Sequence, residues 1–390
     1  MKLTSRERVL RTLNGKSVDR VPIDFGGGNC ANIVCGSKNK IKEGPPWGIL
    51  ALYEYCGIED YEEPVEAPYL NYVLNVDERL ILRCGSDIRH VYSGGWPAKK
   101  ILPDGTVVDA FGVTFKKTGF YGSAVDKIAP MKNLTTAKEI EEFIFPDPES
   151  PDLVRLANQV KERCETTDYA LTLEAGYLGS TWQVAHLLRG FEQCFIDMRL
   201  NKKLWFTLME KLTELQIASL NKVLPIVGPY VDIIACSDDL GMQTQPMMSV
   251  DTFRKCLKPW LKRRFQEIKR LAPHAKIQLH SCGSVFDFVP DLIDCGVDIL
   301  NPIQPLAYKM EAWRLKREYG DRICFHGGID IQRLLNFGTP QDIKNRVKEI
   351  IAIFEGCRYI LAASHNIEPE THPENIMALF DAVREYYEGN

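Results

Sequence analysis

Residues 276–283 read Lys276-Ile277-Gln278-Leu279-His280-Ser281-Cys282-Gly283. The run is apolar in alternation, has no interior acid, and ends in an imidazole, a thiol and a glycine. A short run of this kind, bounded by turn residues, reads as a buried strand followed by a loop. The same pattern recurs at Val21–Phe25, Asp87–Ser93, Tyr169–Gly176, Val231–Asp239, Val297–Pro305, Arg322–Asp330 and Tyr359–Asn366. Amphipathic stretches lie between the runs: Asn201–Leu224, Val250–Leu271 behind a Ser249 N-cap, and Glu374–Tyr387. Near the start, Thr4-x-x-Glu7 has the form of a capping box ahead of a helix over Arg8–Leu13. Eight strands with intervening helices predict an α/β protein, a (β/α)8 TIM barrel. The runner-up is an open doubly wound sheet. Its dinucleotide-binding version is weakened, because Gly26-Gly27-Gly28 after the first run lacks the GxGxxG spacing.

The length of 390 residues suits one barrel unit spanning 1–390. One stretch breaks the alternation. Residues 97–122 read as an N-terminal β-hairpin excursion from the rim, with Lys99–Leu102, a turn at Asp104-Gly105, and Thr106–Lys117. The polar segment 123–161, with Phe145-Pro146-Asp147-Pro148, reads as a connection across the outside. Lysine and arginine total 48 against 52 acids, a net charge of −4, which argues against a nucleic-acid partner. No apolar run reaches the roughly 18 residues of a membrane span. The opening stretch is interrupted by Arg6, Glu7 and Arg8 and does not read as a signal peptide, so a cytoplasmic location is expected. The 12 cysteines form no CxxC pair and read as mostly reduced, buried thiols. A homodimer is the default expectation for assembly.

A barrel carries its chemistry where the strands end, at the C-terminal edge. The run ends offer Asp24; Arg89; Glu174; Asp238 and Asp239; His280 and Cys282; Asn301 and Gln304; His326 and Asp330; His365 and Asn366. His280 and Cys282 stand two positions apart, on one side of a strand. Imidazole nitrogen and thiolate sulfur together suit Zn²⁺, at roughly 2.0–2.3 Å. The competing reading is a core histidine and an inert thiol. His365, closing the eighth run, is the candidate third ligand. Asp238 and Asp239 point to opposite faces, so one is expected at the pocket, as a metal ligand, base or hydroxyl binder, or else as an N-cap. Glu174 and Asp24 are further strand-end acids. The stretch from His326 to Asp330 either binds a ligand through backbone amides or uses its glycines only to turn. Asn301 and Gln304 either orient a substrate or satisfy loop backbone, and for Gln304 the second reading is preferred.

These residues resemble the uroporphyrinogen decarboxylase superfamily, specifically its methyltransferase-like branch. The resemblance is carried by Ser5-Arg6-Glu7-Arg8-Val9-Leu10 with Val18-Asp19-Arg20-Val21-Pro22, and by the stretch from Ser364 to Asn375. Between them fall Asp238-Asp239-Leu240-Gly241, His280-Ser281-Cys282-Gly283, Asn301-Pro302-Ile303-Gln304-Pro305 and Phe325-His326-Gly327-Gly328-Ile329-Asp330, in family order. The resemblance implies a (β/α)8 barrel. Decarboxylases resemble one another in an arginine-bearing MRQAGRY loop after the first strand, and this chain has Gly26-Gly27-Gly28-Asn29-Cys30-Ala31-Asn32 there. The methyltransferase branch, which moves methyl groups between corrinoid proteins and coenzyme M, is similar in its HxC pair followed by a distant cysteine.

Carried over, the resemblance implies zinc on His280 and Cys282, with His365 where those enzymes have cysteine. One thiolate fewer leaves the metal more electrophilic, suited to polarising an ether or hydroxyl oxygen. The expected function is zinc-dependent transfer of a methyl group from a small O-methyl donor to a corrinoid carried by a partner protein. Asp239 and Glu174 are the expected catalytic acids. Asp24, Asn301, His326 and Asp330 are the expected substrate contacts, and the rim is expected to be open and partly apolar. Two other functions stay open: a metal-independent lyase using Asp24 and Asp87 to stabilise a cation, and a non-catalytic accessory subunit of a corrinoid system.

Overall fold

The computed structural model describes residues 2–28, 31–34, 39, 41–67, 72–93, 99–119, 121–147 and 153–389. Seven parallel strands form the main sheet: β1 (Ile88–Tyr92), β6 (Ala170–Glu174), β7 (Ile233–Ser237), β8 (Lys276–His280), β9 (Ile299–Ile303), β10 (Cys324–Ile329) and β11 (Tyr359–Ala363). Their spatial order follows the chain, as right-handed strand–helix–strand crossovers dictate. The first apolar run joins the two edges. Leu361 N–H donates to the Pro22 carbonyl at 2.9 Å, Asp24 N–H to Leu361 at 3.0 Å, and Asp87 N–H to Ile23 at 2.8 Å. It is too irregular for a full strand because Pro22 has no N–H and Ile23 N–H goes to the Asp87 carboxylate at 2.9 Å. The expected barrel is thus built from seven strands and one short eighth stave.

Alternation along the strands separates two environments. Ile88, Ala170, Ile233, Ile299, Cys324 and Ile360 form one apolar cluster with Val9 and Leu13 of the helix Ser5–Leu13. This cluster fills the lower barrel interior and the N-terminal helix closes that end. The helix begins in the expected capping box, with Thr4 and Glu7 bonding reciprocally. Two residues further along the same strands stand His90, Thr172, Asn301 and His326, all buried. The intervening residues, among them Val91, Leu171, Ile234, Leu279, Leu300, Phe325 and Leu361, pack outward in the larger core shared with the helices. The interior therefore changes from apolar to polar toward the C-terminal mouth.

Helices Lys202–Val227 and Pro373–Glu388 cover the expected amphipathic stretches. The stretch 250–271 is two helices, Val250–Cys256 and Lys258–Leu271, because Pro259 lacks the N–H an unbroken helix needs and sits in the first turn of the second. The rim excursion differs from a single hairpin. Its described part forms a four-stranded antiparallel sheet of β2 (Lys100–Ile101), β3 (Val107–Val108), β4 (Thr114–Thr118) and β5 (Tyr121–Ala124). A second turn, held by Asp109, divides the long arm: Val113 N–H donates to its carboxylate at 2.8 Å. Residues 97, 98 and 120 of that expectation, Asn29 and Cys30 of the glycine loop, and Pro148 lie outside the described residues. Among the described residues no helix is long and apolar enough to cross a membrane, and the 10 described cysteines are free.

Candidate metal centre

β8 ends at His280, and the chain then turns through Ser281, Cys282 and Gly283. His280 Nε2 and Cys282 Sγ lie 3.3 Å apart. His365, just past β11, brings its ring centroid to 6.0 Å from that of His280. One ligand atom from each of the three falls within 4.8 Å of the others. Among the described residues this is the one such group of histidine, cysteine and carboxylate atoms.

The turn is held from two sides. Asp239 Oδ1 accepts from Cys282 N–H at 2.8 Å and stands 3.5 Å from His280 Nε2. Gln304 Oε1 accepts from Gly283 N–H at 2.7 Å, while its amide nitrogen faces Cys282 Sγ at 3.5 Å and Ser364 O at 3.4 Å. Gln304 thus satisfies backbone, as expected, and also touches the sulfur.

The protonation states suit a cation. Burial, with His280 alongside, pushes His365 down to about 4, so its imidazole is neutral with a lone pair to give. Burial and the nearby Asp239 charge hold the Cys282 proton well above the usual thiol range, so a bound cation is what would draw it off. Two imidazole nitrogens and one sulfur are a donor set that would suit zinc. The adjoining cleft holds about 250 Å³ and is lined by Cys282, His365, Gln304, Gln243, Leu306 and Asp330, among others. Among its described lining residues none is lysine or arginine.

The adjacent acids divide as opposite faces require. Asp238 is fully buried away from the cleft, paired with Arg264 Nη2 at 3.0 Å and accepting from Thr181 and Gln183 N–H at the start of the helix Trp182–Arg189. Asp239 is the one at the turn.

Several expected substrate contacts lie elsewhere. Asp24, Asn301 and His326 are buried in the barrel interior and do not line the cleft, because each points inward from the layer beneath the mouth. Asp330 does line it, but its oxygens accept from the N–H groups of Gln332, Arg333 and Leu334 at 2.8–3.0 Å. Gly327 and Gly328 lie within β10 at positive φ, where a Cβ on Gly328 would meet Ile350 at 2.4 Å, so the close packing there requires glycine. Asp87, offered for a lyase, is buried at the opposite end and paired with Arg8 and Arg20. Arg89 faces outward to Glu78 at 2.7 Å.

The inward residue beside Arg89 is His90, which the sequence reading missed. His90 Nδ1 meets Glu174 Oε1 at 2.7 Å and its Nε2 meets Asp24 Oδ1 at 2.9 Å. Burial opposes charge on this ring, but the two carboxylates outweigh it and raise His90 to about 10. Burial likewise opposes the Asp24 charge, and the imidazoles of His90 and His326 hold it well below the usual carboxylate range. The signal was available in alternation: Ile88, His90 and Tyr92 share a face.

The α/β barrel thus carries, at the ends of its strands, a polar mouth and a His–Cys–His cluster that could hold a metal ion. A family model described as uroporphyrinogen decarboxylase (URO-D) matches residues 110–386, and the chain belongs to that family. Its relatives fall on both sides of the family. Methylcobamide:CoM methyltransferase MtaA of Methanosarcina barkeri is 33% identical over 175 residues, 45% of this chain and 47% of that protein. Uroporphyrinogen decarboxylase of Coxiella burnetii is 24% identical over 289 residues, 72% of this chain and 74% of that protein. That of Chlorobaculum tepidum is 24% identical over 142 residues, 35% and 38%. The chain thus spans less than half the length of two of these three. A solved methyltransferase from Methanosarcina mazei shares the fold, with a TM-score of 0.66 at 20% identity over 99% of this chain and 100% of that one.

Proposed function

We propose that this protein is a zinc-dependent methyltransferase of a corrinoid system, moving a methyl group from a small O-methyl donor to a corrinoid carried by a partner protein. The observation that carries the reading is the convergence of His280, Cys282 and His365 beside the cleft. Similarity to a methylcobamide:CoM methyltransferase supports the corrinoid part. His280, Cys282 and His365 would hold zinc, which supplies Lewis-acid polarisation of the donor oxygen when bound.

The chain's own residues do the rest. Gln304 and Asp239 fix the Cys282 turn. Asp239, close to the donor set and partly open, would take or give a proton at that oxygen. Glu174 is committed to His90, so its part is electrostatic and reaches the site through that pair. The small cleft suits a small donor, with Asp330 shaping its wall. Beyond the cleft the rim is apolar: Met242, Leu306 and Tyr308 are 50%, 39% and 57% exposed. Their two loops are joined by the Gln243 side-chain Nε2, which donates to the Leu306 carbonyl at 2.6 Å, and by Tyr308 N–H, which donates to the Gln243 carbonyl at 3.0 Å. A joined apolar rim suits docking of a partner domain.

A polycarboxylate substrate fits the cleft less well, since no described lysine or arginine lines it. The test is metal content of protein purified without chelator, for wild type, His280→Ala and Cys282→Ala, followed by incubation with a reduced corrinoid protein and a panel of O-methyl donors. One zinc per chain, lost in both variants, with a donor-dependent corrinoid absorbance change in wild type only, is the expected result. Zinc-free wild type, or variants that keep full zinc, would overturn the metal reading.

A further inference from the structure

A continuous chain of buried side chains runs beneath the mouth. It passes from Glu174 to His90, to Asp24, to His326, to Asn301 and to His280. His326 Nε2 meets Asp24 Oδ2 at 2.9 Å, Asn301 Nδ2 meets His326 Nδ1 at 2.8 Å, and His280 Nδ1 meets Asn301 Oδ1 at 2.9 Å. Every link crosses between different strands. His326 is wholly buried, and Asn301 and Asp24 are each 2% exposed.

The direction of each bond follows from what each atom can do. The Asp24 carboxylate only accepts, so His326 Nε2 carries the proton and donates. The Asn301 amide nitrogen only donates, so His326 Nδ1 accepts. Asn301 is thereby turned so that its carbonyl oxygen faces His280, and that oxygen only accepts. His280 must then carry a proton on Nδ1, and in the neutral ring this leaves the Nε2 lone pair facing Cys282 Sγ at 3.3 Å, with Asp239 Oδ1 at 3.5 Å. An amide in mid-chain does not pass protons as an imidazole does, so the chain orients rather than conducts.

We propose that Asn301, oriented by His326 and Asp24, is a positioning residue that locks His280 in the Nδ1–H form and so presents Nε2 as a ligand. Asn301 and His326 accordingly support the site from behind, in place of the substrate contact expected from sequence. The role presupposes the cation site proposed above, but the tautomer itself exists without metal.

The first measurement is therefore made on metal-free, full-length protein labelled with ¹⁵N-histidine. The wild-type His280 resonances should show a protonated Nδ1 and an unprotonated Nε2, and Asn301→Leu should lose that signature. Zinc affinity, by chelator competition, should then fall about 10–100-fold in Asn301→Leu, the range for partners of a ligating histidine. Asn301→Asp, which keeps an acceptor on Nδ1, should recover most of that loss. An Nε2–H form in wild type overturns the proposal, as does Asn301→Leu with tautomer and affinity unchanged. The wild-type spectrum needs no variant to fold. A locked tautomer in a protein that binds no zinc would sustain the orienting chain and refute the metal function.

Discussion

Gly241 and Gly283 pack backbone against backbone. A Cβ on Gly241 would lie 2.6 Å from both Cys282 O and Ser284 N, and one on Gly283 would lie 2.6 Å from the Gly241 carbonyl carbon. The loop after β7 therefore crosses the His280–Gly283 turn at a distance only glycine allows, which brings Asp239 under Cys282 N–H. Gly241→Ala should destabilise the protein by about 1–3 kcal/mol, the usual cost of overpacking. It should also lower zinc content in the fraction that stays folded. Urea unfolding with metal analysis of the same preparation checks both, and an unchanged midpoint with full zinc would refute the crossing as a constraint.

Asp238 and Asp239 are neighbours with opposite duties. Removing Asp238 leaves Arg264 buried without its partner, so Asp238→Ala should cost about 3–5 kcal/mol while the folded protein keeps its metal. Asp239→Ala should change stability much less and slow methyl transfer by about 100-fold or more, the lower range for a proton-handling group. Unfolding and transfer rates measured on both variants separate the two; the same pattern for each would contradict their division.

His90 predicts a stability profile in pH. Its folded value of about 10 lies above the ordinary 6.5, so the folded state holds the proton more tightly. That contribution is complete below about pH 6.5 and is lost as pH rises toward 10, at no more than about 1.4 kcal/mol per pH unit for one proton. Asp24, depressed by its histidines, acts in the other direction: its contribution stands above the normal carboxylate range and is lost on acidification. His90→Gln should flatten the decline between pH 6.5 and 10 in urea titrations. A variant with the wild-type slope would mean that His90 is not the titrating group.

The rim predicts a split in kinetics. Met242→Glu together with Tyr308→Ala should raise KM for the corrinoid partner about 10-fold, equivalent to about 1.4 kcal/mol. KM for the small donor should stay within about two-fold, because neither side chain lines the cleft. A rise confined to the donor would place the docking surface elsewhere.

How much was legible in sequence follows from which forces are local. The period of a strand put His280 and Cys282 on one side, and the same period separated Asp238 from Asp239. His365 was reachable because the end of the eighth run returns beside the first in a closed ring. Arg89 is the more strongly charged residue of its run, but alternation with Ile88 points His90, and not Arg89, inward. The fate of Asp24, Asn301 and His326 depended on cross-strand pairing, which no local spacing encodes. Asp330 had the right address, yet three backbone amides of its own loop reach it first. The rim sheet of β2–β5 exceeds one hairpin because a second turn closes at Asp109, where Gly112 at positive φ donates to the Asp109 carbonyl and Val113 N–H to its carboxylate; no Asp-Gly dipeptide marks it in the sequence.

Val9 and Leu13 seat the N-terminal helix in the base of the barrel, so the vessel is corked at one end. If the protein transfers methyl groups as proposed, donor, spent alcohol and docking carrier would all share one doorway. A carrier seated on that doorway would shut it, so the donor would have to be aboard beforehand and the alcohol would wait until the carrier departs. Traffic through the enzyme would then be single-file, with an obligatory sequence of arrivals set by the architecture and independent of the relative affinities.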